Sequence, residues 1–231
     1  MFGHITDAIK KPCIIRIGKN LYGVRFETMK VYSTLTAVEY LLKANIVKKG
    51  DTLIDSSSGI YAYALALACH KFSMRCHIIA SQTVDKTLLT QLKILGAVVD
   101  QVHTSGSFKR DQSLRIEKLK EVLRRDSTIH WMRQYHDDIH YLGYQPVGKQ
   151  ITEALGTEQL TIVGSIGSGC STGYIGYRLN SAYTAPLIYF ASMRFLLGTP
   201  VVVITWLLLM KQGTGQTETL FLLWRIQVID M

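Results

Sequence analysis

The sequence predicts an α/β fold in which helices flank parallel twisted sheets, and three observations carry that prediction. Short apolar runs alternate with longer helical ones along most of the chain, the pattern that strand–helix–strand units leave. Two small-residue loops, Asp55-Ser56-Ser57-Ser58-Gly59 and Gly167-Ser168-Gly169-Cys170-Ser171-Thr172-Gly173, each follow an apolar run and lead into a helical one. At 231 residues and 48% hydrophobic content, the chain can also bury the core such a fold needs, as one sizeable unit or two small ones.

Taken in order, the elements follow from local pattern. Val31, Leu35, Val38, Leu41 and Leu42 recur at helical spacing behind Lys30, which predicts a helix over residues 32–43. The apolar run 52–54 reads as a strand, and the segment 60–71 after the first loop reads as a helix. A strand over 76–80 precedes a helix over 85–95, where Asp85 is an acid in the first turn, the end at which the helix dipole favours negative charge. The same pairing recurs as a strand at 98–102 and a helix at 110–125 with Asp111 near its start. A helix over 144–155 and a strand over 160–165 complete the series and deliver the chain to the second loop. Both loops therefore sit at the carboxyl ends of strands, where open α/β sheets bind their ligands.

The pattern ends near Asn180. Beyond it only Arg194, Lys211, Glu218, Arg225 and Asp230 are charged, and the strand–helix alternation stops. The sequence thus divides into residues 1–180, which carry the fold, and an atypical apolar tail, 181–231, that need not belong to it. A reading-frame change in the coding sequence would produce such a boundary. The longest apolar block, 201–210, falls short of the ~20 residues of a bilayer span, which argues against a membrane protein. The net charge of +9 lies largely in solvated helical runs such as 118–125, and no nucleic-acid-binding motif accompanies it. Cys13, Cys69, Cys76 and Cys170 show no metal or redox spacing, and no secretory leader precedes the chain, so a reducing, cytoplasmic setting is expected. His136 and His140, four apart, offer two imidazoles but no third ligand, and no metal is predicted.

The chemistry that the loops suggest is anion binding. A helix start carries unpaired N–H groups and the positive end of the dipole, and glycine and serine let an anion approach that backbone. Lys30 lies 27 residues before Ser57, and Ser57 lies 110 before Gly167. That order, a lysine at a helix start, a serine–glycine loop, then a Gly-x-Gly loop, resembles the pyridoxal-phosphate enzymes of the cysteine synthase, or β-replacement, family. The resemblance covers roughly residues 10–180. It includes Lys48-Lys49-Gly50-Asp51-Thr52-Leu53-Ile54-Asp55, similar to the family's lead into its substrate loop, and Lys93-Ile94-Leu95-Gly96-Ala97, similar to its helix-to-strand turn.

The resemblance implies a tryptophan synthase β-like fold, incomplete at its C-terminus, with pyridoxal 5'-phosphate as cofactor and a small amino acid as substrate. Lys30 would condense with the cofactor aldehyde, which requires an unprotonated amine. Gly167, Ser168, Gly169, Cys170, Ser171 and Thr172 would cradle the phosphate, while Ser57, Ser58, Gly59 and Gln134 would hold the substrate carboxylate. The implied reaction is β-elimination of an activated serine followed by addition of a nucleophile, in a protein that pairs as a homodimer. The plain alternatives are a solvated lysine at a helix start, an ordinary strand-to-helix turn and a serine-rich helix cap.

Ile60 and Tyr61 stand where the family has asparagine and threonine, and nothing after Asn180 matches the family's partner for the pyridine nitrogen. Two rivals follow: a truncated, inactive homologue, and a membrane-associated protein anchored by the apolar tail.

Overall fold

A computed structural model describes residues 1–19, 21–156, 160–165, 170, 171, 175, 188–191 and 205–211. The chain opens with a short helix, α1 (Ile5–Ile9), and an antiparallel hairpin, β1 (Cys13–Arg16) and β2 (Leu21–Phe26), which the apolar pattern does not predict. The predicted alternation then appears. It runs α2 (Lys30–Lys43), β3 (Thr52–Ser56), α3 (Ile60–Phe72), β4 (Arg75–Ser81), α4 (Lys86–Ile94), β5 (Val98–Val102) and α5 (Phe108–Arg125). A two-residue strand, β6 (His130–Trp131), two 3₁₀ turns and α6 (Gln145–Leu155) lead to β7 (Leu160–Ser165). Two further strands, β8 (Ile188–Ala191) and β9 (Thr205–Lys211), come from the sequence-defined tail.

The strands form two sheets. One is parallel, in the order β5-β4-β3-β6, and the other is mixed, in the order β1-β2-β9-β7-β8. In the second, β9 runs antiparallel to both neighbours, with Phe26 opposite Thr205 and Ile162 opposite Leu209. Helices cover both faces of the parallel sheet, because alternate residues of its strands are apolar on both sides. Leu53 and Ile78 face a core shared with α2, α3 and α4, whereas Ile54 and Ile79 pack on Leu119 of α5. Val24 and Phe26 of the second sheet share another core with Val147, Ile151 and Cys170.

Helix α2 belongs to both cores. Val31, Leu35 and Val38 enter the first, while Met29 and Tyr32 enter the second. Its opening turn is therefore the seam between the layers, and Lys30 is its first residue. Tyr144 fixes this seam, since its buried hydroxyl donates to the Met29 carbonyl at 3.1 Å and its ring stacks on Tyr32 at 6.1 Å. Gly143 lets it come so close, because a β-carbon there would overlap the Tyr32 carbonyl. No helix among the described residues is long and apolar enough to cross a membrane.

Candidate active site

Three segments meet at the carboxyl ends of β3 and β6 and the start of α2. The first brings Lys30, which is partly buried at the seam. Burial holds its amine below the ordinary lysine range, and the nearby Cys170 thiol pulls the other way. His140 lies beside it and is fully buried. Its Nε2 is 2.8 Å from the Met132 carbonyl, which can only accept, so Nε2 carries the hydrogen and Nδ1 accepts from Ser33 Oγ at 3.0 Å. The ring is thereby kept neutral, and burial, with Lys30 adding to it, pushes its pKa below the usual histidine value.

The second segment is the loop after β3. Ser58 Oγ accepts from the Ser81 amide at 2.7 Å, tying the loop to the end of β4, and Ser57 Oγ accepts from the Gly59 amide at 3.3 Å. With each oxygen engaged as an acceptor, both O–H groups remain to donate, which is the polarity an incoming carboxylate needs. Gly59 caps α3 in an extended conformation, so the helix opens directly from the loop.

The third segment follows β6. Gln134 is buried; its amide N donates to Asp55 Oδ2 at 3.0 Å and its Nε2 to the Ser56 carbonyl at 3.1 Å. Asp55 is the hub of this arrangement. Besides Gln134 it accepts from the Ser56 amide at 2.7 Å and from Trp131 Nε1 at 3.3 Å, and burial outweighs these bonds and raises its pKa. The Asp55 carboxyl thus staples the loop after β3 to the loop after β6, which brings Gln134 to Ser57, Ser58 and Gly59.

The glycine loop is described only at Cys170 and Ser171, both helical, with Cys170 buried against the second core. Gly167, Ser168, Gly169 and Thr172 lie outside the described residues. What the sequence did not reveal is the role of Asp55, His140 and Tyr61. His136 and His140 do not form a helical pair: a 3₁₀ turn separates their directions, leaving His136 exposed and His140 buried. Tyr61 is buried edge-on against His140, with ring centroids 5.7 Å apart. Burial and then the charge of Asp55 push its pKa far up. Among the described residues, Thr28 Oγ1 and Tyr32 OH are buried without a hydrogen-bond partner. Both are within two residues of Lys30.

Comparison with known proteins shows the family and the fold. The profile of the pyridoxal-phosphate dependent enzyme family matches residues 24–191. Among curated proteins, N-(2-amino-2-carboxyethyl)-L-glutamate synthase of Cupriavidus metallidurans is 32% identical over 111 residues, which are 42% of this chain and 33% of that protein. Among solved structures, O-acetylserine dependent cystathionine beta-synthase of Helicobacter pylori superposes with a TM-score of 0.72 at 19% identity, covering 82% of this chain and 66% of that one. O-ureido-L-serine synthase gives 0.71 at 16% identity, with 82% and 63% covered. Cysteine synthase of Entamoeba histolytica gives 0.68 at 17%, with 80% and 58% covered. The chain matches a third of the curated relative and spans about three-fifths of these structures.

Proposed function

This chain belongs to the pyridoxal-phosphate dependent enzyme family, and on that premise we propose that Lys30 carries the cofactor and that the site replaces the β-substituent of an activated serine-type amino acid. The observation that carries the reading is the Lys30 amine, held below its ordinary pKa at the seam of two cores beside Cys170 of the glycine loop. The surroundings fit the group, since a nucleophilic amine and partnerless hydroxyls are what a polar aldehyde-bearing ring requires.

When bound, pyridoxal phosphate supplies an electron-withdrawing ring that stabilises negative charge at the substrate Cα. Lys30 would hold the cofactor through Nζ, and the same amine, once freed, would accept the proton from the substrate Cα. Ser57 and Ser58 donate their hydroxyl hydrogens to the substrate carboxylate at the start of α3, and Gln134 offers its second amide hydrogen. Neutral His140 adds no charge beside Lys30, whose protonation is set by burial against the opposing pull of Cys170. Gly167, Ser168, Gly169, Cys170, Ser171 and Thr172 take the phosphate. The relatives' names speak of O-acetylserine, O-ureido-L-serine and an amino-carboxyethyl group on glutamate, which supports an oxygen-activated serine as donor. Four free thiols suit a reducing cytoplasm, and pairing of two copies is the expected assembly.

The test is near-visible absorbance after adding pyridoxal phosphate to wild type and Lys30→Ala, then borohydride reduction and peptide mapping. A band present only in wild type, with the reduced cofactor on Lys30, is expected. No band in folded protein, or label on another lysine, refutes the assignment. A second reading, cofactor binding without turnover, is favoured by Ile60, which cannot donate or accept, and by the bulk of Tyr61. It predicts a band on Lys30 that O-acetylserine leaves unchanged.

A further inference from the structure

Between α5 and residues 131–136 lies a cavity of about 320 Å3 whose lining, Gln134 apart, has no part in the proposed reaction. Ser56 and Gln134 form its inner wall, so it backs directly onto the loop proposed to hold the substrate carboxylate. Its cations are Arg115, Lys120 and Arg133, and its one carboxylate is Asp55, whose oxygens already accept three donors. Ile116, Trp131 and Tyr135 supply apolar wall between the charges.

Arg115 is the informative residue. It is half-buried on the inner face of α5, and its Nε donates to Ser56 Oγ at 3.2 Å, which aims the rest of the guanidinium fork into the cavity. No carboxylate among the described residues forms an ion pair with it. Asp111, one turn earlier on α5, acts on Arg115 only through its charge, with no ion pair between them, and its Oδ1 accepts from the Ser105 amide and hydroxyl. Arg133 is differently placed: its guanidinium lies 5.8 Å from the Trp131 ring centroid and 3.8 Å from Asp137. A half-buried guanidinium without an ion-paired carboxylate is costly unless an anion completes it. The separated cations and apolar walls suit an elongated organic acid better than a compact phosphate. The volume is near the lower end of ligand pockets, ~300–1,000 Å3, and so suits a molecule of amino-acid size.

We propose that this cavity is the subsite for the second substrate, and that Arg115 selects a nucleophile bearing a side-chain carboxylate. The inference rests on the β-replacement reading. In the net reaction the nucleophile's heteroatom forms the new bond to the substrate Cβ, the Cβ–O bond breaks, and the nucleophile's proton leaves with the oxygen leaving group.

Calorimetry on the full chain with L-glutamate and L-glutamine isolates the contribution of the side-chain carboxylate, because the two probes share everything else. Glutamate is expected to bind at least about tenfold more tightly, and Arg115→Gln to remove that preference. Arg133→Asn, whose residue tolerates the left-handed backbone at this position, is expected to weaken glutamate in the same direction should Arg115→Gln not fold. Lys30→Ala is expected to bind glutamate within about threefold of wild type, so a failure of the cofactor reading does not pass for a failure of this one. Equal binding of the two probes, or none, overturns the proposal. So does wild-type binding in both arginine variants, or inorganic phosphate binding more tightly than glutamate.

Discussion

Replacing Gly143 by alanine puts a side chain where the structure has no space. The new β-carbon would overlap the Tyr32 carbonyl and lie 2.9 Å from the Ser33 amide nitrogen, so backbone must move rather than a flexible side-chain tip. Gly143 has no positive φ, and the penalty is therefore purely steric. Withdrawing the turn by roughly 1 Å, as close packing demands, loosens the Tyr144–Met29 and His140–Ser33 hydrogen bonds that flank it. Overpacking costs about 1–3 kcal/mol and each weakened buried bond about 1 kcal/mol, which gives about 3–5 kcal/mol in total. For a chain of this size that lowers Tm by about 6–20 °C. Urea unfolding and calorimetry measure both, with Gly59→Ala as control: a β-carbon there meets nothing within 4 Å, and the change should cost under about 1 kcal/mol. A Gly143→Ala protein within about 1 kcal/mol of wild type refutes the claim that close approach at this turn holds the seam.

Two further predictions concern single groups. His140 is held neutral with its pKa below the unfolded value, so its contribution to stability is complete above about pH 6.5 and is lost as pH falls toward the folded value. Replacing it by glutamine should flatten the stability–pH curve in that window by up to about 1.4 kcal/mol per pH unit; an unchanged slope in urea titrations at pH 5–7 contradicts the claim that the fold holds His140 neutral. Tyr32 buries a hydroxyl without a partner among the described residues, so Tyr32→Phe should leave the cofactor-free protein as stable or up to about 1 kcal/mol more stable. A loss above 1 kcal/mol in denaturant unfolding would reveal a bond that the hydroxyl makes.

What could be read from sequence was whatever depends on neighbours along the chain. The β3 to α5 series shows because each strand carries a short apolar run, Leu53-Ile54, Ile78-Ile79 and Val98-Val99, and longer helical segments separate them. The hairpin of β1 and β2 escapes detection because Arg16, Gly23 and Arg25 interrupt the pattern, and β6 is two residues long. Helix α2 begins at Lys30, two residues before its predicted start, because Tyr144 secures the preceding carbonyl from 115 residues away. The same distance hides Gly143 and His140. Nothing local marks a glycine as sterically required or a histidine as neutral, since Gly143 is confined by Tyr32 and Ser33, and His140 by Ser33 and Met132 within a core assembled from distant segments. Asp55 could have been found: a lone acid ending an apolar strand must be either satisfied or functional, and here three donors meet it.

The place of β9 between β2 and β7 has a consequence in time. During synthesis, β2 emerges early and can pair on one side with β1, but its other edge waits for a strand that begins at Thr205. At about 5–20 residues per second, the roughly 180 intervening residues take on the order of 10–40 s to translate. The parallel sheet, whose strands follow one another closely, can form within that interval. The hairpin meanwhile offers an open edge to any other nascent chain. The yield of this protein should therefore depend on how well that edge is sheltered before the last strand arrives.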